Sequence, residues 1–161
     1  MNQSKRNPYD EGPKSARELT ETLLDICVQL GDTSRVVRES CVSTDATAYS
    51  HAVWHILSTI IEKVSQPIPS LNPIESWSEE VARRKGPLAA DESAARRVAE
   101  TMFKISTQLS ESLETARAVL SNEEFKTYAS GVGHVLVDIM YGVLYPVFAT
   151  NPSLEPKDWK K

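Results

Sequence analysis

At 161 residues the chain has the length of one domain, and its 40% hydrophobic and 25% charged residues are ordinary for a globular protein. A net charge of −4 argues against a general nucleic-acid binder, which needs a positive field to displace counterions from phosphates. Two cysteines, Cys27 and Cys41, are too few for a disulfide scaffold and are not spaced like a metal pair.

Residues 1–14 hold Pro8, Gly12 and Pro13 among charges and lack an apolar run, so they read as a mobile leader rather than a signal peptide. Ser15 and Glu18 have capping-box spacing and open a helix over about 16–42. Its apolar face is Leu19, Leu23, Ile26, Leu30, Val37 and Cys41, and the phase survives Gly31-Asp32, which favours one continuous helix. On such a helix the two cysteines stand roughly 21 Å apart at 1.5 Å rise per residue. That separation rules out a disulfide between them and predicts free thiols, which suits the cytoplasm.

Thr44 or Asp45 starts a second helix, 44–65, with Tyr49, Val53, Ile56, Leu57, Ile60 and Val64 as its stripe. Pro67 and Pro69 end it. A long connection follows. Within it Ser76, Glu79, Ile74, Trp77 and Val81 predict a short helix over 76–85. Asp91 caps a third long helix, 91–120, whose seam runs Ala95, Val98, Met102, Ile105, Leu109, Ala116 and Leu120. Ser121 and Glu124 form another capping box, so the turn into the last helix, 122–149, is very short and the pair antiparallel.

That last helix is apolar nearly all round from Val132 to Phe148, which predicts burial on most sides and a bundle organised around it. The run is interrupted by His134 and Asp138 and is shorter than the ~20 residues of a membrane span. Gly131, Gly133 and Gly142 allow close backbone approach, and Pro146 threatens a kink. Residues 151–161 form a polar tail carrying Trp159. The expected architecture is all-α: a four-helix bundle in a single domain, 15–150, with one long crossover.

Chemistry is sparse. The three histidines all lie in i,i+4 pairs: His51 with His55, and His134 with Asp138. A helix turn puts such pairs on one face, as in many bundle metal sites. The layout, with His51 in the second helix and His134 and Asp138 in the last, is loosely similar to that of the DinB-like metal-binding bundles. The similarity covers those positions alone and assigns no family. At about 100° per residue, His51 and His55 fall opposite the apolar stripe of their own helix, which makes a solvated polar face the simpler expectation. His134, Asp138, Tyr141 and Tyr145 share the one polar stripe of the most apolar helix, either as its solvent edge or as the lining of a small pocket. No nucleophile is placed beside them.

Two functions follow as expectations. The first is a non-catalytic, cytoplasmic bundle acting through protein contacts, expected as a homodimer, with no nucleic acid and no membrane span. The second is a metal- or small-molecule-binding bundle, catalytic or not, holding a divalent metal or a ligand around His134 and Asp138.

Overall fold

The computed structural model describes residues 16–40, 45–69, 71 and 92–160, and among them the chain is all-α. The first helix, α1 (Ala16–Ser40), runs unbroken through Gly31. The second, α2 (Asp45–Thr59), continues directly into a π-helical segment, π1 (Ile60–Ser65). Then come α3 (Glu92–Val119) and α4 (Asn122–Ile139). The last helix passes through a second π segment, π2 (Met140–Leu144), into α5 (Tyr145–Thr150). Two 3-10 turns, Pro152–Leu154 and Lys157–Lys160, follow, and Leu154 packs against the core. The expected leader, the short helix 76–85, Cys41 and the Ser15 and Asp91 caps lie outside the described residues.

The apolar stripes read from the sequence form the core. Leu19, Leu23, Ile26, Leu30 and Val37 of α1 are buried, as are Tyr49, Val53, Ile56 and Leu57 of α2 with Ile60 and Val64 of π1. Met102, Ile105 and Leu109 of α3 meet Tyr128, Val132, Val135 and Ile139 of α4. Burial of each such side chain contributes about 1.5–3 kcal/mol. The Ser121 capping box forms in both directions: the Glu124 N–H donates to Ser121 Oγ at 3.3 Å, and the Ser121 N–H donates to Glu124 Oε2 at 3.1 Å.

The helices touch in a ring. α1 packs on α2 and α3, while α4 packs on α3, α2 and π1. Helices joined by short turns are therefore neighbours. The long connection instead links α2 to α3, which are not a closely packed pair among the described residues.

This ring corrects one expectation. The last helix is a corner of the ring, not its centre, and it is buried on one face only. Gly133, His134, Val137, Tyr141 and Tyr145 are all exposed, because no described element covers that side. The uninterrupted helix Asn122–Thr150 is also longer than the apolar run counted from sequence. By length and composition alone it could cross a membrane, although 39% of its most apolar stretch is buried inside the protein.

Two buried hydroxyls are treated differently. Tyr128 Oη donates to Ser112 Oγ at 2.7 Å, and Ser112 Oγ donates in turn to the Leu109 carbonyl at 2.6 Å, tying α4 to α3. The Tyr49 hydroxyl has no well-formed hydrogen bond. The Thr33 hydroxyl beside it lies within hydrogen-bond distance of both the Gln29 and Leu30 carbonyls. Burial pushes both phenols above their ordinary range.

Candidate functional site

The polar side chains of interest gather along the seam between α2–π1 and the last helix. Both π segments are followed at the same distance by a proline, Pro67 after Ser65 and Pro146 after Leu144. A proline ring clashes with the carbonyl four residues back and brings no N–H to bond it. A wider turn relieves that clash. Accordingly the residue before each proline bonds five back, Gln66 N–H to the Ile61 carbonyl and Tyr145 N–H to the Met140 carbonyl. Pro67 thus takes the usual helical partner from the Lys63 carbonyl. That carbonyl faces Gly131 of α4 so closely that a Cβ at Gly131 would lie 2.4 Å from its oxygen. Of the three glycines noted in the sequence, only Gly131 is required by such an approach. A Cβ at Gly133 would meet nothing within 4 Å, and one at Gly142 would make ordinary contact with Ala52 at 3.9 Å.

One turn along, Thr59 is the last residue before π1 and Asp138 the last but one before π2. Thr59 Oγ1 lies 2.6 Å from Asp138 Oδ2 and 3.0 Å from the His55 carbonyl. One hydroxyl proton serves one acceptor at a time, and the short, charged partner wins. His55 Nε2 lies 3.3 Å from Asp138 Oδ1, with the histidine side chain 71% exposed and the carboxylate 19%. The largely buried carboxylate is therefore paired, as its desolvation demands.

The structure does not bring His134 to Asp138 as a pair. His134 Nδ1 sits 2.7 Å from the Ser130 carbonyl of its own helix, so Nδ1 carries a hydrogen and the neutral ring keeps Nε2 as its acceptor. His134 instead lines an open cleft of about 500 Å³ with Glu62, Lys63, Lys126 and Ser130, over Gly131. Asp138, Tyr141 and Tyr145 are not part of it. The two tyrosines are exposed, with their rings edge to face and centroids 5.1 Å apart. His51 is exposed, as its helix face predicts.

Sequence periodicity placed His55 on a solvated face and left it there, yet it reaches across the seam. Thr59, Lys63 and Lys126 were not singled out at all. The prolines were the available signal for the first two, since each marks where helical geometry must change.

Chemically, the described residues hold no group of three or more His, Cys, Asp or Glu able to share a metal ion. Cys27 is wholly buried, and burial pushes its thiol up to about 12, so it is no nucleophile near neutral pH. No protein-family model matches the chain, and no curated protein or solved structure is significantly similar to it.

Proposed function

We propose that this is a non-catalytic, cytoplasmic helical bundle that works through protein contacts and pairs with a second copy of itself. One observation carries the reading. Val137, Tyr141 and Tyr145 are 53%, 66% and 42% exposed on a helix whose other face is core. Large apolar side chains aligned on a face that no other described element covers are the usual mark of an interface, and tyrosine is a favoured anchor there.

The spacing favours self-pairing. In a regular helix, steps of four residues drift by about 40°. The wider π2 turn draws Tyr145 back over Tyr141, so Gly133, Val137, Tyr141 and Tyr145 keep one line. Two such lines laid antiparallel about Ile139 set Gly133 opposite Tyr145 and Val137 opposite Tyr141. The bulkiest group then meets the residue with no side chain, and a two-fold interface has to be self-complementary in this way.

Sedimentation velocity tests the proposal. The wild type is expected to sediment as a dimer, and Tyr141→Glu as a monomer. Gly133→Leu also abolishes the dimer, and open space at Gly133 leaves the fold intact. A wild type that stays monomeric to about 100 μM, an affinity too weak for stable pairing, would overturn it.

A further inference from the structure

We infer that the cleft between π1 and α4 binds a small hydroxylated oxyanion, of the chemistry shared by sugar phosphates and hydroxycarboxylic acids. The argument is independent of self-pairing. Two lysines line the cleft from different helices, Lys63 from π1 and Lys126 from α4. Lys63 makes no ion pair among the described residues. Lys126 gives one hydrogen to Glu123 Oε1 at 2.8 Å and keeps two. Together they supply donors for an oxyanion.

The same cleft holds acceptors. With Nδ1 committed to the Ser130 carbonyl, neutral His134 offers only Nε2 as a lone pair, and Glu62 adds a carboxylate. A bare anion gains nothing from those two groups and is repelled by Glu62. A ligand carrying hydroxyls beside its anionic group satisfies both sets. The size agrees: about 500 Å³ lies within the usual range of small-molecule sites and far exceeds one inorganic ion.

The framework is fixed by backbone rather than by side chains. Gly131 is pressed on the Lys63 carbonyl, so the position of π1 against α4 is set. The π turn sends two consecutive residues, Glu62 and Lys63, to one cleft, one as acceptor and one as donor.

Titrations of the full chain, followed by amide chemical shifts, test the site with three probes: glucose 6-phosphate, citrate and sulfate, which has no hydroxyl to donate. Glucose 6-phosphate or citrate is expected to saturate shifts around Lys63, Lys126, Ser130 and His134, binding about tenfold tighter than sulfate, the worth of one added charged hydrogen bond. Which of the two binds tighter distinguishes phosphate from carboxylate ligands. Lys63→Ala with Lys126→Ala should weaken both by about tenfold or more, whereas Glu62→Ala, which removes the acceptor, should shrink the advantage over sulfate severalfold. All three side chains are exposed, so the variants keep the fold. Shifts that never saturate, binding untouched by the double lysine variant, or an advantage undiminished in Glu62→Ala would each overturn the proposal.

Discussion

The α1–α3 pair and the pair formed by α2–π1 with the last helix face the same core but are built differently. α1 and α3 are uninterrupted α-helices, and a polar cluster on their outer edge links them. Gln29 Nε2 donates to Asp25 Oδ2 and Gln108 Oε1, each at 2.8 Å, and Gln108 Nε2 donates to Asp25 Oδ2 at 2.9 Å. The opposite pair leaves α-geometry twice. It presses a glycine onto a free carbonyl and keeps a carboxylate in the seam between histidine and threonine. In the first pair the polar links run between side chains alone. In the second, single residues hold geometric duties that no neighbour can assume, and the cleft and the exposed tyrosines both lie on that side.

The largest expected effect tests the core that both pairs share. Val135 is wholly buried, and Val135→Asp should cost about 4 kcal/mol or more and remove the cooperative melt. A melting point within a few degrees of wild type would refute the orientation of α4. Next comes a contrast inside one helix. Gly131→Ala should destabilise by about 1–3 kcal/mol through overpacking, whereas Gly133→Ala should stabilise by up to about 1 kcal/mol through helix propensity. Denaturant unfolding of both variants reads the difference, and equal effects would mean that the Lys63 contact is not tight.

Removing the seam carboxylate by Asp138→Ala should cost about 1–2 kcal/mol, with His51→Ala on the same edge nearly silent. A cost for His51→Ala equal to that for Asp138→Ala would break the distinction between seam and solvent face. A further effect is confined to alkaline pH. The Cys27 thiol is raised from 9.0 to about 12 in the folded chain, so the unfolded chain loses this proton first. Its contribution to stability is full below pH 9 and falls away between pH 9 and 12. Cys27→Ser should flatten that part of the stability profile, and a thiol reagent should modify native Cys27 only as fast as the chain opens.

Periodicity made the helices legible because it depends only on which residues are apolar. The unbroken α1 through Gly31, the stripes of all four long helices and the Ser121–Glu124 cap were readable for that reason. The π turns were not, since Pro67 read as a stop and Pro146 as a kink, whereas a widened turn answers both. A helical wheel reports a direction at the backbone and not the reach of a side chain. It therefore set His55 opposite the core stripe and gave no hint that the ring could bend over to Asp138. Burial of the last helix was overread because composition cannot say how many neighbours a helix has.

Each π turn behaves as one residue inserted into an α-helix. Deleting a single residue between Met140 and Leu144 would restore regular hydrogen bonding and leave everything beyond facing nearly as it does now, because the widened turn already takes up the roughly 100° of one extra residue. Val147 and Phe148 would stay in the core, and the change would fall on the turn itself, where Tyr141 and Tyr145 share a line. The π turn is thus a place where this helix can lose one residue without turning the part beyond it.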